Sequence, residues 1–164
     1  MIHSRRLSVR LLAGCVALLS LSAARPDPVP LYKNPKAPTE KRVQDLLRRM
    51  TTAEKVGQLS TLLGWGMYEK QGGTVTVSDA FKKAVEAQQI GSLWATLRAD
   101  PWTQKTLTTG LNPEEAARAT NALQRYMIEH TRLGIPLLLA EECPHGHMAI
   151  GTTVFPTALG QGST

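Results

Sequence analysis

Cysteine is nearly missing from this chain. Its 164 residues include two, Cys15 and Cys143, too few for the disulfide frameworks that hold small exported domains together. Aromatic residues amount to 5%, and no lysine or arginine cluster is interleaved with them, which removes the footprint of a nucleic-acid-binding surface. Long apolar runs are missing as well. The longest, Leu11 to Ala23, falls short of the ~20 residues that span a bilayer. There is no internal repeat, heptad pattern or low-complexity tract, so solenoids and coiled coils are excluded. What is left is a chain of single-domain length, 42% hydrophobic and 20% charged, the composition of a globular protein.

The first two dozen residues read as an address rather than as fold. "MIHSRRLSVR" is basic, "LLAGCVALLSLSA" is apolar, and Ser22 and Ala24 put small residues at the −3 and −1 positions of a cleavage site. That three-part order is a secretory signal, in preference to a buried N-terminal helix. Ser4-Arg5-Arg6 resembles part of a twin-arginine signal, although Ser8 stands where that signal carries an apolar residue. Leu12-Ala13-Gly14-Cys15 looks like a lipoprotein box, but the apolar run continues through Leu21 instead of stopping at the cysteine. The expectation is cleavage near Ala24, a periplasmic or secreted product, no lipid on Cys15 and no stable membrane insertion. Cleavage would remove Arg5, Arg6 and Arg10 and no acids, so the formal charge of +6 would fall to +3. Cys143 would then be the single cysteine.

Between Arg25 and Pro38, five of the ten prolines remove backbone donors and disfavour helix, predicting an extended leader on the surface. The domain therefore starts at residue 39 and runs over 39–164. Thr39 is placed to cap a helix with Glu40 in its first turn, and Val43, Leu46, Leu47 and Met50 recur at helical spacing. A second helix follows in "MTTAEKVGQL", capped by Thr51 or Thr52, with Val56 and Leu59 on one face. "GWGMYEKQGGTVTVSDAFKKAVEAQQ" reads as a loop-rich insert ending in a short helix that starts near Ser78 or Asp79. Ile90 to Thr96 reads as a strand, in which Gly91-Ser92 allows close backbone packing or approach of a ligand.

The strongest helix has Asn112 as its N-cap, Pro113 at the first helical position, and Glu114 and Glu115 complementing the dipole. Ala116, Ala119, Ala122 or Leu123, Tyr126 and Met127 make its buried stripe, and Gly134 and Pro136 close it. Then "PLLLA" is an apolar strand. Strand, long helix, strand is the order of a βαβ unit, so the fold class is α/β with parallel strands buried on both faces. Gly160-Gln161-Gly162 lacks the rest of a phosphate loop and carries no role.

The chemistry is concentrated where that last strand ends, in "AEECPHGH". Loops at the carboxyl ends of parallel strands form the working face of α/β proteins, and Glu141, Glu142, Cys143, His145 and His147 fall there. Gly146 permits a turn that a side chain would obstruct. Several readings stand side by side. Cys143, His145 and His147 could ligate zinc, but C-x-H-x-H is not a common ligand spacing and Pro144 stiffens the turn. Cys143 could be a histidine-activated nucleophile without a familiar signature around it, whereas a lone cysteine is more often a small buried hydrophobe. A carboxylate and an imidazole could grip sugar hydroxyls through charge-assisted hydrogen bonds. Alternatively the groups form a structural polar network, the reading favoured for Glu141, because adjacent strand residues point to opposite faces. The same alternation stops Glu141 and Glu142 from acting as a glycosidase pair, whose carboxyl groups sit about 5–5.5 Å apart across one bond. Trp65, between two glycines, could line a flat ligand or cap a core edge; Trp94 and Tyr68 divide between the same two roles.

In chain order, "TEKRVQDLLRRMTTAEKVGQL", "IGSLW", "NALQRYMIEHTRLGIPLLLAEECPHGH" and "GTTVFPTALGQGST" resemble the amino-terminal part of family 3 glycoside hydrolases, over nearly all of Tyr32 to Thr164. E-x-x-H-G ahead of T-V-F-P is the specific feature, and the β-glucosidase/β-xylosidase branch is more similar than the N-acetylglucosaminidase branch. The resemblance implies a retaining, exo-acting β-glycosidase on a (β/α)8-like (TIM-type) barrel, generally followed by an α/β sandwich domain. It implies that Glu142 binds hydroxyls of the non-reducing terminal sugar, with His145 supporting it. It implies an oligosaccharide or other β-glycoside as the partner, and neither metal nor organic cofactor. It also implies a nucleophilic aspartate in a Ser-Asp-Trp-like context and a separate acid/base glutamate. Neither has a match in this chain, because Asp79 and Asp100 lack that context.

A (β/α)8 barrel takes ~250 residues, so 39–164 corresponds to its first quarter to third. The expectation is the start of such a barrel, incomplete in this chain, inactive alone and marginal as an isolated fold. A non-catalytic carbohydrate-binding or degenerate barrel fragment is the alternative. Only the hydrolase requires two further carboxylates downstream.

Overall fold

The computed structural model describes residues 29–163. The expected signal segment at 1–24, its cleavage site and the first residues of the leader lie outside the described residues. From residue 29 the leader is not uniformly extended. Leu31–Lys33 makes one 3-10 turn, closed by the Lys33 N–H donating to the Pro30 carbonyl at 3.0 Å. Tyr32 anchors it: its hydroxyl donates to the Leu133 carbonyl at 2.8 Å and its N–H to Asp45 at 3.1 Å.

Helix α1 (Thr39–Arg49) has Pro38 as its N-cap and Thr39 as its first helical residue, with no side-chain cap, which corrects the expected Thr39 cap. Its apolar periodicity is largely unused. Val43 and Leu47 are exposed, Met50 is buried, and the helix instead turns Asp45 inward to Arg49 at 3.0 Å. Helix α2 (Thr52–Gln58) has Thr51 as its cap, completed to a capping box by Glu54, so two of its orphan amides are satisfied reciprocally. Val56 and Leu59 of its predicted face are exposed.

The insert that follows is more ordered than its composition suggested. Strand β1 (Thr61–Leu63) comes first, then a hairpin of β2 (Tyr68–Gln71) and β3 (Thr74–Val77), with Tyr68 opposite Val77 and Gln71 opposite Thr74. Gly72-Gly73 makes the two-residue turn, with Gly72 at φ +58°, as short hairpins require. Helix α3 (Asp79–Glu86) begins where expected, its Phe81 N–H donating to the Ser78 hydroxyl at 3.2 Å.

Strands β1, β4 (Ser92–Trp94) and β5 (Leu138–Ala140) form a parallel sheet in the order β1-β4-β5, and helix α4 (Pro113–His130) is the crossover between β4 and β5. The strand–helix–strand unit of the sequence is therefore present, with β1 as a third parallel strand. Asn112 caps α4 in a capping box with Glu115. The helix stops at His130, ahead of Gly134. The Thr131 hydroxyl donates to the Met127 carbonyl at 2.5 Å and accepts from the Gly134 N–H at 3.1 Å, closing the turn. Near the end of the described chain, Gly160-Gln161-Gly162 lies in the short helix α5 (Ala158–Gly162), capped by Thr157.

Register aligns Leu62, Leu93 and Leu139 across the sheet, and Leu63, Trp94 and Ala140 beside them. Residues in register share a face and successive ones alternate. The first row joins the core formed by Phe81 and Val85 of α3, Leu123 and Met127 of α4, Ile90 and Leu137. The second row lies on the opposite face, where Leu63 is exposed and Leu138 is 70% exposed. Burial on both faces holds for the central strand, where Ser92 and Leu93 are both buried, and is corrected for the flanking strands: α3 and α4 cover one side, and Leu63 and Leu138 meet no covering layer among the described residues. Gly91 serves backbone packing, since a Cβ there would stand 2.6 Å from the Gln58 carbonyl oxygen.

A second, smaller cluster of Tyr68, Leu111 and Ala119 fastens the hairpin to α4. The Lys70 ammonium donates to Glu115 at 2.8 Å and to the Gly110 carbonyl at 2.9 Å. Burial, reinforced by the Glu115 charge, pushes the Tyr68 hydroxyl up to about 12.

Candidate functional site

Strands β4 and β5 end side by side, Trp94 in register with Ala140. The chain leaves the sheet at both points on one edge. Ala95 takes φ +59°, a left-handed conformation uncommon outside glycine, and its N–H donates to the Ala140 carbonyl at 3.0 Å. That turn brings Leu97 and Arg98 beside the residues that follow β5. Arg98 bridges Ala149 in antiparallel fashion, and the Ala99 N–H donates to the Met148 carbonyl at 2.8 Å. The two loops are tied together by backbone before any side chain is considered.

Glu141 and Glu142 follow directly on β5 and take different partners. Glu141 is spent on structure: one oxygen accepts the Leu97 N–H at 3.0 Å, and the other lies 3.3 Å from His147 Nε2. Among the described residues Glu142 has one partner, the Arg98 guanidinium at 3.0 Å, and its side chain is 46% exposed. A carboxylate offers about four acceptor positions, so Glu142 keeps free capacity facing solvent. His145 sits in the turn that Gly146 makes at φ +97°, where a Cβ would collide with the Thr153 carbonyl oxygen. The His145 carbonyl accepts the Phe155 N–H at 2.6 Å. Its ring Nδ1 is buried without a hydrogen-bond partner among the described residues, and none of the described hydrogen bonds joins it to Glu142. Cys143 is exposed, which corrects the buried-hydrophobe reading. No three His, Cys, Asp or Glu side chains come together as a metal-ligand set among the described residues.

Arg98 is the hub of the site. Besides Glu142 it holds Asp100 at 2.7 Å, and its guanidinium carbon lies 4.7 Å from the Trp102 ring centroid and 5.9 Å from that of Trp94. Burial works to raise the Asp100 carboxyl, but the Thr103 N–H and the Arg98 guanidinium outweigh it and hold it below the usual aspartate value. The three tryptophans of the chain meet here. Ring centroids are 4.9 Å apart for Trp65 and Trp102, 5.9 Å for Trp94 and Trp102, and 6.4 Å for Trp65 and Trp94, within the range of tilted and edge-to-face aromatic pairs. The sequence candidate Trp94 thus joins Glu142 through Arg98, and Trp65 does so at one remove, through its contacts with Trp94 and Trp102. Tyr68 does not, being buried under the hairpin. Asp79 pairs with Lys82 on α3.

Arg98 and Trp102 were not anticipated. Their signal is the segment "RADPW", which sets a guanidinium and an indole on either side of an Asp-Pro turn. The cluster sets a half-exposed carboxylate and an exposed indole about one guanidinium.

Residues 51–164 match the glycosyl hydrolase family 3 N terminal domain. Among curated relatives, a protein named as a β-xylosidase in Formosa agariphila is 33% identical over 129 residues, covering 78% of this chain and 16% of its own length. The β-glucosidase C of Emericella nidulans is 30% identical over 122 residues, 74% of this chain and 17% of its own. The chain therefore spans about a sixth of the length of these relatives. The parallel β4–α4–β5 unit, with its polar residues at the strand ends, falls inside the matched region. The chain belongs to glycosyl hydrolase family 3.

Proposed function

We propose that the protein carrying this chain is an exported β-glycosidase of the retaining, exo-acting type, and that Glu142 binds hydroxyls of the terminal sugar. The single observation that carries the site is the division of labour between neighbouring carboxylates: both Glu141 oxygens are engaged within the fold, whereas Glu142 is half exposed with one ionic partner. Relatives named for β-xyloside and β-glucoside chemistry support the substrate class. His145, in the adjacent turn, is a supporting residue. Bond cleavage requires a nucleophilic carboxylate and an acid/base about 5–5.5 Å apart, and Glu141 and Glu142 do not supply that pair. Export rests on the basic, apolar and small-residue order of residues 1–24.

The test is steady-state hydrolysis of aryl β-glucosides and β-xylosides by the complete protein and its Glu142→Ala variant. Hydrogen bonds to a charged group contribute roughly 1.5–3 kcal/mol each, so losing one or two should lower kcat/KM by about 10- to 10,000-fold. An unchanged kcat/KM would remove Glu142 from the sugar site. Complete inactivity of the unsubstituted protein on every β-glycoside, with sugar binding retained, would mark a carbohydrate-binding protein instead.

A further inference from the structure

We infer that Arg98 is the positioning residue of the Glu142 site and that Trp102, held by Arg98, is the wall against which the group beyond the terminal sugar packs. This rests on the reading of Glu142 as a ligand of that sugar. Arg98 contacts each component: its Nη1 holds Glu142 at 3.0 Å, its Nε holds Asp100 at 2.7 Å, and its plane lies over Trp102. Its own side chain is 16% exposed. Asp100 is fixed in turn, accepting the Thr103 N–H at 2.9 Å and donating its own N–H to the Thr103 hydroxyl at 3.1 Å. A guanidinium with donors in a rigid fork can serve two carboxylates and stack on an indole at once; an ammonium is a point charge and cannot.

Trp102 is backed by Trp65, Trp94 and Arg98 yet remains 57% exposed. A rigid indole with an open surface is suited to the C–H-bearing face of a sugar ring or to an aryl group. Arg98 stands between this surface and Glu142. The ring whose hydroxyls Glu142 holds is therefore a guanidinium away from Trp102, which places Trp102 beside the neighbouring unit. On this basis Trp102 sets preference for what is attached to the terminal sugar, and Arg98 sets the aim of Glu142.

The experiment uses the complete protein and two substrates with one terminal sugar: an aryl β-glycoside and the corresponding glycosyl fluoride, whose small leaving group gives Trp102 nothing to hold. In Trp102→Ala the ratio of kcat/KM for the aryl glycoside over the fluoride should fall by roughly 10-fold, through KM, and Trp102→Phe should recover most of it. Arg98→Lys should lower kcat/KM on both substrates by roughly 10- to 100-fold, and should add little to Glu142→Ala if the two act as a unit. A ratio unmoved in Trp102→Ala overturns the wall. Arg98→Lys behaving as the unsubstituted protein, or adding in full to Glu142→Ala, overturns the positioning role. The underlying reading fails separately: Glu142→Ala then keeps full activity on the fluoride, whatever Trp102 does.

Discussion

Gly91→Ala should be among the most damaging single-methyl changes in the chain. A Cβ built there stands 2.6 Å from the Gln58 carbonyl oxygen and 2.7 Å from its carbon, where ordinary contact begins at 3.4 Å. Both are backbone atoms at the end of α2, so no side chain can swing aside. The nearest atom is the Gln58 Cα at 2.4 Å, so the α2 end must recede by roughly 1 Å, an overpacking change of the kind that costs about 1–3 kcal/mol. It cannot recede freely, because Gly91 and Ser92 both donate their N–H groups to the Ser60 carbonyl, at 3.1 and 3.0 Å. Stretching that pair adds about 1 kcal/mol. Against this, alanine restricts the unfolded chain and returns about 0.4–1 kcal/mol. The net expectation is about 2–3 kcal/mol of destabilisation, or roughly 4–12 °C in Tm for a domain of this size. Urea denaturation of the chain followed by tryptophan emission measures it, with Gly66→Ala as control, since a Cβ at Gly66 meets nothing within 4 Å. If the two variants share one midpoint, the close approach of β4 to α2 is not a constraint and the reasoning fails.

Acid should unfold this chain by releasing its paired carboxylates. The Arg132 guanidinium holds Glu54 below the usual glutamate value, Lys70 and then the Asn112 N–H do so for Glu115, and Arg49 does so for Asp45. A lowered folded pKa means stability that is complete above the ordinary carboxylate range, roughly pH 4, and lost as pH falls through the depressed values. Tm should therefore drop below about pH 4, and Glu115→Gln should flatten part of that fall; a Tm level down to about pH 3 would contradict the pairing. At the other extreme, the Tyr68 hydroxyl should ionise only near 12. Its buried neutral phenol contributes stability that is complete below about pH 10 and lost as pH rises toward 12, so phenolate absorbance that is complete before unfolding begins would show that Tyr68 is not buried.

What local chemistry dictates was legible in the sequence. Asn112 and Pro113 announce α4 to the residue, because a cap and a proline act within one turn. "PLLLA" after a long helix announces a parallel strand, because connection length decides pairing direction. What failed depended on partners far away in the chain. Val43, Leu47, Val56 and Leu59 have helical spacing yet stay exposed, since periodicity shows that a face exists and not what covers it. The Thr74–Val77 strand was hidden by its neighbours: "TVTV" alternates, but glycines on one side and a helix cap on the other gave the segment the look of a loop. Arg98 and Trp102 were missed for a related reason. Arg98 meets Glu142, 44 residues further along, and Trp102 joins them through Arg98; no local pattern records such a meeting.

The two adjacent glutamates that follow β5 meet consecutive residues of the loop that follows β4. Glu141 accepts the Leu97 N–H at 3.0 Å and lies 3.3 Å from His147 Nε2. Glu142 meets Arg98 among the described residues. The strained turn at Ala95 is part of the same arrangement, because without φ +59° the chain leaving β4 would not bring Leu97 to Glu141 and Arg98 to Glu142 in consecutive residues. Strain of this kind, of order 1–3 kcal/mol, persists only where surrounding contacts fix it. Here the Ala95 N–H on the Ala140 carbonyl and the Ala99 N–H on the Met148 carbonyl supply that fixing from both sides.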